Sequence, residues 1–203
     1  MQSSEQFLLS CDNQTFGHGR GGNSWTSLPG SLCFSFTLIP HKISSFTALE
    51  ISLLVVRFFE IKGQKLKLKW PNDLWTKDRL KCGGILVQSS HDNYLAGVGI
   101  NLFSEDKTFG GIYESSFEIE KKKWCFDLTQ FIHLHRYEDT SLLISDWENF
   151  CGHMKMEVTI IENGKEVQGE FLGLGIYGEA RLLSQDKIHH FFNGSLRPTS
   201  FAR

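Results

Sequence analysis

Short runs with β-strand patterns are the feature of this sequence that most constrains its fold. Ser31–Ile39 alternates apolar with small or polar residues, and Lys65–Trp70 alternates lysines with leucines. Gly84–Gln88 and Tyr94–Asn101 are two further apolar runs joined by a polar turn. Because successive side chains of a strand point to opposite faces, these runs predict a sheet in which the lysines at positions 65 and 67 face solvent.

Two other segments have apolar residues at helical spacing. In residues 44–59 the apolar positions from Phe46 to Val56 predict a helix, which Ser44 or Ser45 could cap. Residues 126–151 predict a helix that is broken near residues 136–140. The run Lys121–Lys123 before it is interpreted as a solvated turn. Helices beside a predominantly β-type chain indicate an α+β fold.

The pattern changes after His153 to short β-type runs separated by turns. The runs cover residues 157–161, 167–172, 180–183 and 188–192, and Glu162-Asn163-Gly164-Lys165 has the composition of a hairpin turn. We therefore expect two domains, residues 1–153 and a small barrel-like domain of residues 154–203. The six basic and six acidic residues of the second domain cancel, so we do not expect it to bind nucleic-acid backbone.

Composition argues against several classes of function. The 203 residues include 21 basic and 23 acidic ones, so the chain has no global field that would attract nucleic acid or an anionic membrane. The five cysteines are scattered without a Cys-x-x-Cys pair, which indicates neither a disulfide framework nor a thiolate zinc site. There is no charged-then-apolar leader and no apolar run of membrane-spanning length. We expect a soluble cytoplasmic protein that binds neither nucleic acid nor membrane.

The most informative stretch is the glycine-rich loop Gln14–Trp25. Glycines at positions 17, 19, 21 and 22 let backbone N–H groups approach an anion closely, and Arg20 adds a fixed bidentate charge. A phosphate or a carboxylate would fit there. The glycines formally match G-x-G-x-x-G, but a strand and not a helix follows, so a dinucleotide fold is not indicated. A flexible surface loop is the alternative interpretation.

Three shorter motifs follow it. Lys69-Trp70-Pro71-Asn72-Asp73-Leu74 could present an amide and a carboxylate to a metal-bound nucleotide, although Asn-Asp after proline is also an ordinary turn. Lys81 precedes the pair Gly83-Gly84, where it could neutralise an anion or be a solvated lysine. Glycines at 97 and 99 in a strand indicate close approach of another group to the sheet.

In combination and order, these motifs resemble those of one family. The loop is similar to Q-x-x-G-R-G-R-x-G-x-x-W, and K-W-P-N-D-L, K-x-G-G-I-L and G-x-G-I-N follow as in biotin–protein ligases. Residues 169–198 resemble the small C-terminal domain of that family. The resemblance implies a class II synthetase-like catalytic domain with a mixed β-sheet and flanking helices, followed by a small SH3-like β-barrel.

The resemblance also implies a reaction. Biotin would be activated with ATP to biotinyl-5′-AMP and then joined to a lysine of a biotin carboxyl carrier protein, a subunit of acetyl-CoA carboxylase. The implied cofactors are ATP, biotin and Mg²⁺, and a homodimer is compatible with the family. Cys82 has no part in this chemistry and is interpreted as a packing residue.

The family's functional residues carry over to named positions of this chain. Lys81 and Arg20 would be catalytic and would contact both biotin and ATP. The other implied biotin-binding residues are Gln14, Gly17, His18, Gly19, Gly84, Gly97 and Gly99. The other implied ATP-binding residues are Trp25, which would stack on adenine, Asn72 and Asn101. Asp73 would hold Mg²⁺.

The sequence departs from the family pattern in its loop and at its start. His18 stands where the family usually has arginine, so we hypothesise weaker or pH-sensitive phosphate binding, which an unchanged nucleotide affinity between about pH 5.5 and 8 would refute. At the start, either residues 3–9 begin a helix, or Phe7–Asn13 forms a strand and the pocket for the biotin ring is incomplete. No winged-helix segment is visible, so we expect a short form without DNA-binding function.

Two other functions stay open at this point. A lipoate ligase or acyltransferase would share a related fold and acyl-adenylate chemistry, although the glycine-rich loop and W-P-N-D favour biotin. A biotin- or nucleotide-binding module would keep the pocket without turnover. The histidine pairs at 133 and 135 and at 189 and 190 are interpreted as structural or exposed, because neither has a third metal ligand at suitable spacing.

Overall fold

The first part of the chain is built on one antiparallel sheet in a computed structural model that describes residues 7–90 and 93–199. Its strands are β1 (Leu8–Cys11), β2 (Gly17–His18), β3 (Ser24–Trp25), β4 (Ser31–Leu38), β5 (Lys67–Lys69), β6 (Asp73–Trp75), β7 (Lys81–Ser90) and β8 (Asn93–Asn101). Six of them form the sheet in the order β1-β4-β8-β7-β6-β5, while β2 pairs with β3 in a separate ribbon. The four predicted strands are confirmed.

Three helices accompany this sheet, as the α+β prediction requires. They are α1 (Phe46–Ile61), α2 (Lys121–Leu134) and α3 (Thr140–Phe150). α1 contacts β7 and α2 contacts β4, so both lie on one face of the sheet. That face carries buried apolar residues of β4, β7 and β8 that lie in register: Leu32, Phe34, Phe36, Ile85, Ala96, Val98 and Ile100. Apolar residues at alternate positions thus pack one face of the sheet against the helices, and the opposite face is not covered by them.

The helix boundaries correct two predictions. Lys121–Lys123 is the first turn of α2, not a solvated turn before it. Ser45 precedes α1 but forms no capping hydrogen bond, because its hydroxyl donates to the carbonyl of Tyr177. α3 does have a side-chain cap, in which Asp139 accepts hydrogen bonds from the backbone N–H groups of Ser141 and Leu142.

The predicted break between the second and third helices is confirmed, and a buried acid holds it in place. Glu50 of α1 is fully buried, and its carboxylate accepts hydrogen bonds from Arg136 Nη2 at 2.6 Å and from the backbone N–H of Tyr137 at 2.7 Å. Both partners lie between α2 and α3. The carboxylate therefore accepts hydrogen bonds from the residues at which the chain leaves helical geometry.

The second part of the chain forms a five-stranded antiparallel sheet. Its strands are β9 (Glu157–Glu162), β10 (Lys165–Leu174), β11 (Ala180–Ser184), β12 (Lys187–Phe191) and β13 (Ser195–Pro198), in the order β12-β11-β10-β9-β13. The predicted hairpin turn is confirmed, with Asn163 and Gly164 at positive φ. Within the described residues β12 and β13 do not pair, so the expected barrel is an open sheet.

The two sheets meet at a packed junction around His153. The His153 ring is buried against Trp75, Trp147 and Phe171. Burial lowers the pKa of His153 to about 3, with Lys69 and Arg79 adding to the effect, so the ring is neutral at physiological pH. The predicted division between residues 153 and 154 falls inside this junction and stays a prediction.

The start of the described chain agrees with the strand alternative. β1 lies within the residues 7–13 considered for it, while Ser3–Gln6 of the helical alternative lie outside the described residues. In the ranges that the structure describes, no helix is both long enough and apolar enough to cross a membrane.

Candidate active site

The face of the first sheet that the helices do not cover opens into a cavity of about 750 Å³. Three regions line it: the glycine-rich loop, the strand ends around Lys69, Asp73 and Lys81, and two turns of the second sheet. This volume lies in the range of small-molecule sites. The cavity therefore joins distant parts of the sequence around a space large enough for a ligand.

A row of cross-strand partners runs along this face of the sheet, and its first four members line the cavity. Strand by strand it contains Lys69, Asp73, Gly84, Gly99, Cys33 and Cys11. Cross-strand partners point to the same face of a sheet, so these six positions share the cavity face. The row has charged residues at one end, thiols at the other and glycines between them.

The glycines of this floor are required for two different reasons. A Cβ atom on Gly99 would lie 2.6 Å from the indole ring of Trp25, so the side chain of Trp25 occupies that space. A Cβ atom on Gly97 or Gly84 would meet its nearest protein atom at 3.7 Å or 3.6 Å, which is ordinary contact. The protein alone would tolerate a methyl group at these two positions, so their open space faces the cavity.

The glycine-rich loop folds back on itself above the floor. Gly17 of β2 pairs with Trp25 of β3, and between them Gly21 and Gly22 adopt φ values of 64° and 81°. These left-handed conformations cost glycine little and allow the tight reversal. Gln14, His18, Gly19, Arg20 and Trp25 line the cavity, whereas Gly17 is buried in the ribbon.

Arg20 connects the loop to the second sheet. Its guanidinium donates a hydrogen bond to the carbonyl of Gly194, 174 residues further along the chain. Burial lowers the pKa of Arg20, while the carboxylate of Asp73 acts in the opposite direction. The guanidinium therefore lies within electrostatic reach of Asp73 and lines the same cavity.

Lys81 contacts the same carboxylate directly. Its Nζ lies 2.6 Å from Asp73 Oδ1, and its side chain is about half exposed to the cavity and solvent. Lys69 Nζ lies 3.1 Å from the second oxygen, Oδ2. The structure thus brings Arg20 and Lys81, the two predicted catalytic residues, into the lining of one cavity.

The three predicted nucleotide residues are placed differently. Trp25 lines the cavity, and its indole Nε1 is buried with no hydrogen-bond partner among the described residues. Asn72 also lines the cavity, but its side-chain amide donates to the carbonyl of Ile85. Asn101 is buried outside the cavity lining, where its amide oxygen accepts a hydrogen bond from Ser31 at 2.8 Å. The roles of all three toward ATP stay predictions.

The donor set does not fit a magnesium ion held by the protein. Both oxygens of Asp73 already face lysine ammonium groups. In the part of the chain that the structure describes, no three histidine, cysteine, aspartate or glutamate side chains come together as metal ligands. At nucleotide sites Mg²⁺ is usually held by one or two carboxylates together with phosphate oxygens, so Asp73 alone could suffice only if its oxygens were free. Because both are paired with ammonium groups, the prediction that Asp73 binds Mg²⁺ lacks support from this geometry.

The remaining sequence interpretations concern packing. Cys82 is fully buried, and burial raises the pKa of its thiol to about 12, so it stays protonated and packs as predicted. His133 packs its ring on Phe36, and His190 pairs with Glu179 through Nδ1 at 3.1 Å. Neither histidine pair belongs to a metal-binding group within residues 7–90 and 93–199.

Several cavity residues were missed by the sequence analysis. Lys69 was passed over because it belongs to a lysine-alternating run, in which Lys65 and Lys67 are indeed exposed. Its spacing of four from Asp73 across a proline turn is the signal that could have identified it. The turns at residues 161–163 and 193–196 of the second sheet carry no such signal, because only tertiary structure brings them to the cavity.

The fold and this cavity agree with comparisons to known proteins. Residues 3–103 match the biotin/lipoate A/B protein ligase family. The biotin protein ligase from Aquifex aeolicus, solved in complex with biotin and ATP, matches with a TM-score of 0.78 at 25% identity, covering 95% of this chain and 89% of that one. The fold is thus that of the biotin and lipoate ligases. The chain belongs to the biotin/lipoate A/B protein ligase family.

Within the family, the chain is similar to biotin–protein ligases. The bifunctional ligase/repressor BirA of Salmonella typhimurium is 26% identical in an alignment of 196 positions that covers 86% of this chain and 61% of BirA. Biotin–protein ligase 2 of Arabidopsis thaliana is 36% identical in an alignment of 110 positions that covers 48% of this chain and 33% of the relative. The chain therefore spans less than two thirds of the length of either curated relative.

Proposed function

We propose that this protein is a biotin–protein ligase that uses ATP to form biotinyl-5′-AMP and then biotinylates a carrier protein. The observation that carries the proposal is a single cavity in which Arg20 and the ion pair of Lys81 with Asp73 lie over a glycine floor. The similarity to named biotin–protein ligases supports it. Biotin and ATP are the substrates, and the carrier would be a biotin carboxyl carrier protein of acetyl-CoA carboxylase.

The first step joins two anions and therefore needs positive charge. A carboxylate oxygen of biotin attacks the α-phosphorus of ATP, pyrophosphate leaves, and a mixed anhydride forms. Negative charge gathers on the oxygens around phosphorus during the attack, and preorganised cations stabilise it most effectively. Lys81 would contact the carboxylate and the α-phosphate, and Arg20 would neutralise the adenylate from the loop.

The floor and the loop would hold the reactants and exclude water. Gly84 and Gly97 leave space on the sheet that biotin would occupy, Gly99 makes room for the Trp25 ring at its edge, and Gln14, His18 and Gly19 would bound it from the loop. Trp25 would stack on adenine. Because water would hydrolyse the mixed anhydride, a loop that covers it protects the intermediate.

The second step is an acyl transfer to an amine. The neutral ε-amine of the carrier lysine attacks the acyl carbon, an amide bond forms, AMP leaves, and the amine proton is lost. No enzyme nucleophile is needed, which agrees with the buried, protonated thiol of Cys82. Mg²⁺ would arrive with ATP, since this cavity supplies no set of protein ligands for it among the described residues.

The test is transfer of labelled biotin to a biotin-carrier domain in the presence of ATP and Mg²⁺, together with ATP–pyrophosphate exchange. Lys81→Ala should lower biotin-dependent exchange by about 100-fold or more, because it removes a cation from the transition state. Arg20→Gly should also lower it. The matched control is Lys77→Ala, which removes an exposed lysine outside the cavity and should leave exchange unchanged.

Three outcomes separate the candidate functions. Exchange that depends on biotin, with label on the carrier, supports the proposal. Exchange that depends on lipoate in place of biotin would identify a lipoate ligase. Tight biotin or nucleotide binding with neither exchange nor labelled carrier would identify a binding module.

A further inference from the structure

The carboxylate of Asp73 is held between two ammonium groups. Lys81 Nζ lies 2.6 Å from Oδ1 and Lys69 Nζ lies 3.1 Å from Oδ2. Lys69 and Asp73 are cross-strand partners of β5 and β6, so the sheet itself brings them to the cavity face. Both side chains are largely buried, with 19% and 14% exposure, so this ion pair is better shielded from solvent than a surface one.

The balance of charge at this end of the cavity favours an anion. The cavity lining contains three cations, Arg20, Lys69 and Lys81, and two carboxylates, Asp73 and Glu162, which leaves an excess of one positive charge. Glu162, a second acid of the cavity lining, accepts a hydrogen bond from the backbone N–H of Asn193 at 3.0 Å. A divalent cation at Asp73 would have to displace two ammonium groups and approach a third positive charge.

The position of Lys69 along the floor indicates which anion it meets. Trp25 lies over Gly99, and the row then continues through Gly84 and Asp73 to Lys69. If adenine stacks on Trp25 and biotin lies on the floor at Gly84 and Gly97, a triphosphate that passes above the floor towards Asp73 reaches Lys81, which lies beside Gly84, before Lys69. The β- and γ-phosphates, which leave together as pyrophosphate, then lie nearest Lys69.

We propose that Asp73 positions Lys69 and Lys81 and does not bind a metal ion, and that Lys69 binds the departing pyrophosphate. This inference rests on the proposed function, because it assigns a subsite of the same reaction. Lys69 is a binding residue in this scheme, since it contacts the substrate. Asp73 is a positioning residue, since it acts through the two lysines.

Binding of inorganic pyrophosphate tests the role of Lys69 without biotin or a carrier. Titration calorimetry with a chelator present should show that Lys69→Met weakens pyrophosphate binding by at least about tenfold, because a charged hydrogen-bond donor is lost. Lys69→Arg should recover most of the affinity. Lys65→Met, which removes an exposed lysine of the same run outside the cavity, should bind as the wild type does.

Magnesium titration tests the role of Asp73. Asp73→Asn removes the group that orients Lys69, so metal-free pyrophosphate binding should weaken, although less than in Lys69→Met. The increase in affinity on adding Mg²⁺ should equal that of the wild type. A metal ligand would behave oppositely: Asp73→Asn would lose the magnesium-dependent increase, and that result would overturn the assignment.

The exchange assay adds a kinetic signature. Lys69→Met should raise the KM for ATP about tenfold or more with a smaller change in kcat, whereas Asp73→Asn should lower kcat because Lys81 loses its orientation. Pyrophosphate affinity of Lys69→Met equal to that of the wild type, in a variant with an unchanged melting temperature, refutes the subsite. Failure of the wild type to use biotin refutes the proposed function instead and leaves the pyrophosphate result interpretable.

Discussion

The packed interior and the cavity of this protein lie on opposite faces of the same strands. Large apolar residues occupy one face, and glycines occupy the other. On the helix side of β7 and β8, Ile85 and Val98 are buried and fill the space between sheet and helices. On the cavity side of the same strands, Gly84 and Gly97 leave open space, and Gly99 makes room for the Trp25 ring. Because the side chains of a strand alternate, one short run can specify a core and a binding floor at once.

The comparison also extends to charge. The cavity keeps Arg20, Lys69 and Lys81 beside one carboxylate, where ligand and solvent can reach them. In the interior, the His153 ring is packed between aromatic side chains, and burial lowers its pKa so that it stays neutral. Substitutions on the two sides should therefore change different quantities, the free energy of unfolding on one side and ligand binding on the other.

The largest effect is expected from the packed side. Ile100→Ala should lower the free energy of unfolding by about 2–5 kcal/mol, because it removes buried apolar atoms outside the cavity lining and leaves a void. Urea denaturation measures this loss. Ile100→Val is the graded control and should cost about 0.5–1.5 kcal/mol. A large change in KM for biotin in either folded variant would contradict the separation of the two sides.

An intermediate effect is expected on the cavity side at Gly99. Gly99→Ala places a Cβ atom 2.6 Å from the Trp25 ring, so the indole must move. We expect kcat/KM in biotin-dependent exchange to fall about 10- to 100-fold, as misplacement of a positioning group can cause, with a shift in tryptophan fluorescence.

Gly97→Ala is the matched control for that displacement. Its Cβ atom meets protein atoms at 3.7 Å, so Trp25 and the melting temperature should be unchanged. The added methyl group should still weaken biotin binding by about tenfold, because it occupies ligand space. Equal fluorescence shifts in the two variants would contradict the distinction between these glycines.

The smallest effect concerns His153 and depends on pH. Its pKa in the folded protein is about 3, whereas the ring takes up a proton near pH 6.5 in the unfolded chain. As pH falls below about 6.5, the unfolded chain binds a proton that the folded one does not, so stability is lost down to about pH 3. His153→Leu removes this pH-dependent loss. The free energy of unfolding of the variant, relative to that of the wild type, should therefore rise by about 1 kcal/mol between pH 7 and pH 5.5.

Denaturation at the two pH values measures the change in the stability difference. His135→Leu is the control, since it removes an exposed histidine. A stability difference between His153→Leu and the wild type that is the same at both pH values would mean that the buried ring is not the source of the acid sensitivity.

Sequence patterns predicted the packed side better than the cavity. Alternation located β4, and apolar runs joined by a polar turn located β7 and β8, because a buried face requires apolar residues at regular positions. β6 was missed because it has three residues and begins directly after the turn signal Pro71-Asn72. β13 was missed because it is short, follows Gly194 and ends in a proline.

The part of the candidate site that was predicted is the part formed by residues within short sequence motifs. The loop residues and Lys81 stand in recognisable motifs, and the structure brings them to one cavity. Lys69 resembles its exposed neighbours in sequence and differs only in its cross-strand partner, Asp73. The contribution of the second sheet depends on contacts between residues as distant as Arg20 and Gly194, which no local pattern encodes.

The hydrogen bond between Arg20 and Gly194 has a consequence for how this protein can diverge. Its acceptor is a main-chain carbonyl, so the identity of neighbouring side chains on the second sheet can change while the acceptor persists. A residue inserted or deleted between β12 and β13 would move that oxygen and release the arginine. We therefore expect the length of this segment to be conserved more strictly than the identity of its residues.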